Sequence, residues 1–536
     1  MVNHAMAFGT RDLNPHFFIY PSLSFYVLFL LYAVLFVLGR LAGLFASTDD
    51  FLRLFFTDAT LFYLPGRWIV ALSGAASAWL AYELGRRCYG KHAGVVAASI
   101  LAFSVLHVQY SHFLKTHVPG GLLAAGALCY AWSIYHYRGR PKHYALAGVL
   151  AGLAASTIYH AGFVAVSPVI AHLLHVLHHR EVKERFWSPK LVILLGSASL
   201  AFVFTTPFAL LDWRTFLSDL ANTADLYYGG GAWEQGVVFP FTSLIEGFGQ
   251  PLGLLVLLGL GYAVSRRAPA NLILASQPLF LGLFLMAFRI KESQHMLVAY
   301  PALSILAGSL LADATGWLFA RAPRWRTIGL VAMSSGILLP PAWVAVVQSY
   351  AYTQPDPRTL AKEWVEQNVP YGTGIVMDSG KYYFGAFGPP LPPSRWTLDR
   401  LVERSRASSV LTDARRRQGT RRAAYSGEAT YFELQRKALA GMPGYDIFQL
   451  LHDVGSFPSD FLSYEAYVQE NVRYAILNEG LWRQYLPGEH AALQWPEKAA
   501  EYRRFYETVV RHGRRIKEFR SPHWEGFSDL VIYELR

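Results

Sequence analysis

Apolar and polar stretches alternate along the middle of the chain, from Gly66 to Tyr350. A helix of about 20 apolar residues spans a hydrocarbon core roughly 30 Å thick, and most of these stretches have about that length. The pattern therefore predicts about ten membrane spans, near residues 66–87, 93–113, 118–137, 144–160, 161–178, 190–211, 245–264, 271–288, 294–319 and 326–350.

The Lys and Arg residues of this region concentrate in every second connection between the apolar stretches. Short loops rich in Lys and Arg stay on the cytoplasmic side of a membrane. We therefore expect the intervening connections, including the long loop at residues 212–240, to face outward. The basic connections lie at residues 86–91, 138–142, 179–185, 266–267 and 321–326.

The apolar segment Ser24–Leu44 precedes these stretches and is also long enough to span. Counting it as a span would reverse the side on which every later loop lies. The alternation of basic and other connections thus favours a re-entrant or interfacial helix pair. Residues 51–56, which mix apolar and charged side chains, would form the second helix of this pair. A genuine span is the alternative. Residues 1–20 lack the features of a secretory signal, and we expect them to lie outside.

The composition fits a polytopic membrane protein, because 53% of the 536 residues are hydrophobic and only 16% are charged. The net charge of +11 is carried by the inside loops and the C-terminal third, where topology and anionic lipid account for it. We therefore expect membrane lipid, and not nucleic acid, as a partner. The two cysteines, Cys88 and Cys129, provide neither a disulfide framework nor a thiolate metal site.

The chain becomes polar from Thr353 onward. Residues 359–367 have helical spacing, and residues 375–377, 474–477 and 530–533 have the composition of short strands. The sequence thus predicts a mainly α, polytopic membrane helical bundle with a C-terminal α/β domain. We expect an outer loop with interfacial helices (residues 1–65), a multispan membrane domain (66–350) and an extracytoplasmic α/β domain (351–536).

Several segments predicted to face outward or to begin a span carry motifs in a characteristic order. They are Asp12–Leu23, Leu64–Arg67, Gln109–Pro119, Arg289–Leu297 and Asp356–Trp364. Together they resemble the corresponding segments of family 39-like membrane glycosyltransferases, which have the multispan GT-C fold and include protein mannosyltransferases and aminoarabinose transferases. The resemblance implies an integral membrane enzyme of the cell envelope. Such an enzyme moves a sugar from a polyprenyl-phosphate donor to a lipid, glycan or protein acceptor on the outer face.

The chain departs from the pattern of this family at two places. Family members carry an Asp, often Asp-Glu, after a first span that lies upstream of the point where this sequence starts, and that carboxylate is the proposed catalytic base. They also commonly have Asp before the Val-Pro of the second outer loop, where this chain has His117. We therefore expect little transferase activity from residues 1–536, and activity from a form that includes the upstream acidic loop.

Sugar transfer from a polyprenyl phosphate needs a base for the acceptor proton and cations for the departing phosphate. Asp12 and His117 are the candidate catalytic residues, although Asp12 equally fits an Asx turn before an Asn-Pro pair and His117 the start of a helix. Arg289, Lys291 and His295 are the candidates for binding the donor phosphate. For the two cations, anchoring at the membrane interface is the alternative.

The loop at residues 212–240 contains a run of three glycines beside aromatic and acidic residues. It is either an acceptor-binding lid or an ordinary long loop, and its candidate residues are Asp225, Tyr227, Tyr228 and Glu234. A divalent cation is compatible with the reaction, but the sequence offers no ligand set that demands one. The histidines at residues 172–179 have helical spacing without a carboxylate partner, which favours interfacial anchoring over a metal site.

Two other functions compete with the glycosyltransferase interpretation. A lipid or solute transporter should carry ionisable residues within its spans and show related halves, and the sequence shows neither feature. A catalytically inactive relative that serves as a binding or scaffold subunit is the second alternative. The absent upstream acid is the best support for this second alternative.

Overall fold

The computed structural model describes residues 1–137, 139–179, 186–227, 233–288, 292–379, 387–417, 428–451, 463–483, 485–487, 496–520 and 529–536. The chain divides into two compact units. The membrane unit comprises Met1–Leu44, Ala59–Ser349 and Arg415–Ala423, and the C-terminal unit comprises Phe45–Asp58, Tyr350–Ala414 and Ala424–Arg536.

Helices dominate the described residues. In chain order they are α1 (Val2–Ala7), α2 (Leu23–Leu41), α3 (Thr48–Thr57), α4 (Thr60–Tyr89), α5 (Lys91–Ala102), α6 (Val105–His112), α7 (His117–His136), α8 (Pro141–Thr157), α9 (Val166–His178), α10 (Pro189–Thr205), α11 (Phe208–Leu211), α12 (Trp213–Tyr227), α13 (Trp233–Phe248), α14 (Leu252–Arg266), α15 (Pro269–Met286), α16 (Tyr300–Leu318), α17 (Arg326–Ala351), α18 (Pro357–Asn368), α19 (Arg395–Arg417), α20 (Glu428–Ala438), α21 (Tyr464–Gln469), α22 (Glu479–Arg483) and α23 (Pro496–His512). Short 3₁₀ segments occupy Phe8–Thr10, Tyr159–Ala165, Ser293–Ala299 and Pro323–Trp325.

Six helical segments of the described chain are long and apolar enough to cross a membrane, so the protein is an integral membrane protein. They are Leu23–Leu41, His117–His136, Tyr159–His178, Pro269–Met286, Ser293–Leu318 and Pro323–Ala351. The bent pair α5 and α6 would make a seventh span, and α10, α14 and most of α13 are shorter apolar helices. The predicted number of about ten spans stays a prediction.

The segment expected to be re-entrant forms the continuous helix α2, which qualifies as a span by length and composition. This observation favours the alternative interpretation of that segment. Its predicted companion, α3, groups with the C-terminal unit. There Asp49 lies 3.1 Å from Lys437 of α20, and the ring of Phe56 packs against Tyr431. The side of the membrane on which each loop lies stays a prediction.

Two breaks in regular helix fall within the apolar stretches that were predicted as spans. The segment predicted at residues 93–113 bends by 58° between α5 and α6. The two spans predicted on either side of residue 160 are separated at Ile158, whose extended backbone ends α8 before the 3₁₀ segment Tyr159–Ala165. This break places the polar pair Tyr159 and His160 outside regular α-helix.

Helix α16 and the 3₁₀ segment before it are almost entirely buried and lie at the centre of the membrane unit. Small residues let neighbouring helices approach α16 closely, as is usual in membrane bundles. A Cβ atom added to Gly259 of α14 would lie 2.7 Å from Cα of Ala307. That distance is too short for a real contact, so glycine is required at this crossing.

The described strands of the C-terminal unit form one five-stranded sheet with the order β2-β1-β3-β5-β4. Strand β1 (Gly374–Ser379) pairs in parallel with β2 (Asp446–Leu451) and β3 (Val472–Asn478). Strand β5 (Leu530–Glu534) pairs antiparallel with β3 and with β4 (Arg514–Phe519). Alternate residues of β1 enter apolar clusters on opposite faces of the sheet, as the period of a strand requires.

The mainly helical fold with a C-terminal α/β unit confirms the predicted fold class. The three predicted strands lie within β1, β3 and β5, and the helix expected at residues 359–367 lies within α18. The sequence analysis missed β2 and β4, which are the two edge strands. Strand β4 has the sequence Arg-Arg-Ile-Lys-Glu-Phe, whose charges are typical of edges that resist pairing with other chains.

Replacing Gly259 by Ala should destabilise the membrane unit by about 1–3 kcal/mol, because the added methyl group would force α14 away from α16. A Cβ atom added to Gly261 of the same helix would meet no described atom within 4 Å. Gly261→Ala is therefore the matched control and should keep or raise stability. Thermal unfolding of the detergent-solubilised protein would measure both, and equal unfolding temperatures would contradict the close crossing.

Candidate functional site

Three histidines from separate parts of the sequence meet inside the membrane unit, and we call them the histidine cluster. His117 begins α7, His160 lies in the 3₁₀ segment Tyr159–Ala165, and His295 lies in the 3₁₀ segment Ser293–Ala299. Their ring centroids are 5.1–6.0 Å apart. One ring nitrogen of each lies within 4.8 Å of the others, and all three residues are buried.

The sequence of α7 explains how the three segments come together. Gly120 and Gly121 follow His117 by three and four residues and therefore lie on the same helix face. A Cβ atom on Gly120 would lie 3.1 Å from Ile158, two residues before the second histidine of the cluster. A Cβ atom added to Gly121 would lie 3.4 Å from the carbonyl oxygen of Leu297. Leu297 follows His295, the third histidine of the cluster, by two residues. The two glycines thus let both 3₁₀ segments pack directly against α7.

The imidazoles of the cluster are largely unpaired. Five buried ring nitrogens, both of His117, both of His295 and Nε2 of His160, have no hydrogen-bond partner among the described residues. Each buried polar atom left without a partner costs about 1–3 kcal/mol. His172 shows the usual arrangement, because its two ring nitrogens contact the Tyr144 hydroxyl at 2.7 Å and the Phe186 carbonyl at 3.2 Å. The cluster is therefore the candidate functional site of the membrane unit.

An acidic and an aromatic residue lie beside the cluster. Glu292 is partly exposed, and its carboxylate lies 3.6 Å from Nε2 of His295. Burial raises the pKa of Glu292, and the nearby Lys115 opposes that rise. The ring of Tyr227, at the end of α12, lies 5.7 Å from that of His295. Burial, reinforced by Glu292, raises the pKa of Tyr227 to about 12, so its hydroxyl remains protonated.

Asp12 lies in an N-terminal loop, not in the described contacts of the histidine cluster. Its carboxylate accepts a hydrogen bond from the backbone of Asn14 at 2.9 Å, which is the Asx turn considered above. It also lies 2.8 Å from Nε2 of His16. This contact lowers the pKa of Asp12 and keeps it ionised. The turn is therefore a structural role that Asp12 fulfils, and its catalytic role stays a prediction.

The same loop is attached to the segments that surround the cluster. The amide of Asn14 donates to Asp212 at 2.9 Å, and the backbone of Phe18 donates to Asp219 of α12 at 2.8 Å. The hydroxyl of Tyr159 donates to the carbonyl of Phe18 at 2.7 Å. Since Tyr159 precedes the second histidine of the cluster, these bonds join the loop, α12 and the cluster segment.

The structure thus brings together three of the predicted site residues, His117, His295 and Tyr227. Asp225 and Glu234 belong to α12 and α13, but their side chains are outside the description. Three further predicted residues lie outside the described residues: Arg289, Lys291 and Tyr228.

His160 and Glu292 were not among the predicted site residues, and Asp212 and Asp219 were predicted only as acidic residues of the loop at residues 212–240. The polar pair Tyr159-His160 between two apolar stretches was the available signal for His160, and it was used only to separate two spans. Glu292 was inside the quoted segment Arg289–Leu297 but was not selected. No spacing rule connects such distant positions, so only the fold could group them.

Residues 51–209 match the family described as dolichyl-phosphate-mannose-protein mannosyltransferase. This match confirms the resemblance drawn from the sequence, over less than a third of the chain. The matched part includes His117 and His160 of the cluster. No curated protein matches the chain in a comparison of sequences.

Several solved structures are similar to this chain at low identity. The apo oligosaccharyltransferase of Archaeoglobus fulgidus is 15% identical with a TM-score of 0.42, over 87% of this chain and 62% of that protein. ArnT from Cupriavidus metallidurans bound to undecaprenyl phosphate is 13% identical with a TM-score of 0.47, over 91% of this chain and 87% of that one. The chain thus spans less than two thirds of the oligosaccharyltransferase, and likenesses this weak carry no functional assignment.

Replacing Tyr159 by Phe should loosen the N-terminal loop, because it removes only the hydroxyl that donates to Phe18. One hydrogen bond contributes about 0.5–1.5 kcal/mol. Hydrogen exchange of the amides at residues 12–20 should become faster in Tyr159→Phe than in wild type. Tyr82→Phe, on α4, is the control and should leave these rates unchanged. Unchanged exchange in Tyr159→Phe would show that the loop is held by other contacts.

Proposed function

We propose that this chain is a membrane glycosyltransferase that moves a sugar from a polyprenyl-phosphate carrier to a lipid, glycan or protein acceptor at the outer face of the membrane. The observation that carries the proposal is the match of residues 51–209 to the mannosyltransferase family. The matched part supplies two members of a buried cluster of unpaired imidazoles, which is the kind of group that can take a proton from an acceptor.

The proposed roles follow from the position of each residue. His117 takes the acceptor proton, directly or through another group of the cluster. Arg289 and Lys291 lie three residues and one residue before Glu292 in sequence, and they stabilise the negative charge that develops on the departing phosphate. His295 takes part in binding that phosphate.

The acceptor is proposed to enter beside α12. Tyr227 ends that helix next to His295, and an aromatic ring provides a face on which a sugar or an acyl chain can pack. Asp225, Tyr228 and Glu234 are the further candidates for this acceptor-binding lid. The glycines that follow Tyr228 would serve as its hinge.

A scaffold function is the second candidate, and one observation favours it. The carboxylate of Asp12 is engaged with Asn14 and His16, so it is a poor candidate for a free catalytic base. If the chain lacks a working base, it would bind the lipid-linked sugar without transferring it. Binding without turnover distinguishes this function from the first.

Arg289→Ala and Lys291→Ala should each lower the rate of sugar transfer about 10- to 100-fold. Charge-assisted hydrogen bonds contribute about 1.5–3 kcal/mol, and about 1.4 kcal/mol corresponds to a tenfold change in rate. Purified protein in liposomes would be assayed with a panel of labelled polyprenyl-phosphate sugars. Lys91→Ala, at the exposed start of α5, is the control and should transfer as wild type does.

Three outcomes of this assay are informative. Loss of transfer in the two variants but not in the control supports donor-phosphate binding. Unchanged transfer in both variants would assign Arg289 and Lys291 to anchoring at the interface. Donor binding without transfer by the wild type would contradict the enzyme proposal and favour the scaffold function.

A further inference from the structure

The histidine cluster brings together ring nitrogens of the kind that ligate a metal, and most of them lack a hydrogen-bond partner among the described residues. Three buried imidazoles from three segments each offer a nitrogen within 4.8 Å of the other two, and five ring nitrogens of the cluster have no hydrogen-bond partner among the described residues. We propose that His117, His160 and His295 together bind a divalent transition-metal ion, with zinc as the best-matched ion.

The distances suit this proposal after a small movement of the rings. Zinc lies about 2.0–2.1 Å from a histidine nitrogen, so two nitrogens on one tetrahedral ion are separated by about 3.4 Å. Rotation of the imidazoles about their side-chain bonds can close the remaining gap. Gly120 and Gly121 allow both 3₁₀ segments to lie close to α7, which keeps the three rings near one another.

The chemistry of the ligands selects the kind of ion. Calcium and magnesium prefer oxygen ligands, whereas imidazole suits zinc, copper, nickel and iron. Three protein ligands leave one coordination position for a water molecule or for an oxygen atom of a bound group. Glu292, whose carboxylate lies 3.6 Å from Nε2 of His295, is placed to contact whatever occupies that position.

The competing explanation is that ordered water alone fills the cluster. Water can donate to and accept from neutral imidazoles, and buried water commonly satisfies polar atoms of this kind. Water would not be removed by a chelator, and it would give no metal stoichiometry. A direct measurement of metal binding therefore separates the two explanations, and it needs no sugar donor. Bound metal would replace the roles proposed above for His117 and His295, because an imidazole that ligates a metal has no lone pair left to take a proton.

The wild type would be purified without a polyhistidine tag, stripped with a chelator and reloaded with zinc chloride. Mass spectrometry of the metal content should find about one zinc per chain. Competition with a chromophoric chelator gives the dissociation constant. His160→Ala should weaken zinc binding by more than about 100-fold, because even a residue that only supports a ligand contributes about 10- to 100-fold.

A buried histidine outside the cluster controls for the general effect of removing a buried imidazole. His143 of α8 is also buried, and its Nδ1 also lacks a hydrogen-bond partner among the described residues, but it stands outside the cluster. His143→Ala should bind zinc as tightly as the wild type. Equal weakening in His143→Ala and His160→Ala would count against a specific site.

Two further measurements keep the proposal testable if His160→Ala does not fold. Cobalt added to the stripped wild type should give the intense visible absorption of a four-coordinate ion. His160→Cys keeps a zinc ligand, so it should retain stoichiometric metal and shift the cobalt spectrum towards that of a thiolate complex. A wild type that binds no stoichiometric zinc and gives no four-coordinate cobalt spectrum would overturn the proposal, as would full zinc affinity in folded His160→Ala.

Discussion

The close contact of α7 with two short 3₁₀ segments is the interaction on which the candidate site depends. Gly120 and Gly121 leave room for these segments, because an added Cβ atom would lie 3.1 Å from the side chain of Ile158 or 3.4 Å from the carbonyl oxygen of Leu297. The segments themselves are breaks in otherwise apolar helices, and each break carries one histidine. With the first residue of α7, they create a polar centre inside a unit whose other contacts are mainly apolar.

This polar centre is costly unless something occupies it. In the interior of a membrane protein, unpaired polar groups have no bulk water to compensate them, and such residues usually mark functional sites. The N-terminal loop and α12 lie beside the centre and are joined to it through Tyr159, Phe18 and Asp219.

The sequence predicted those helices and strands that a short run of neighbouring residues is enough to identify. The apolar stretches predicted the membrane helices, and short β-branched and aromatic runs predicted β1, β3 and β5. The edge strand β4 was missed because four of its six residues are charged, as in a loop. The other edge strand, β2, has four apolar residues of six and was not predicted. His117 and His295 were selected by family resemblance. His160 was not, because a histidine at a helix break has no distinguishing spacing, and its relation to the other two arises only from tertiary packing.

The most direct test of the central claim, that the histidine cluster is a ligand site, is X-ray absorption at the zinc edge on zinc-loaded protein that lacks a polyhistidine tag. The structure predicts three imidazole nitrogens per zinc at about 2.0–2.1 Å, with one further nitrogen or oxygen ligand and no sulfur. A sulfur shell would place the ion at a cysteine, and a six-coordinate oxygen shell would describe loosely bound surface zinc. Either result would contradict the assignment of zinc to His117, His160 and His295.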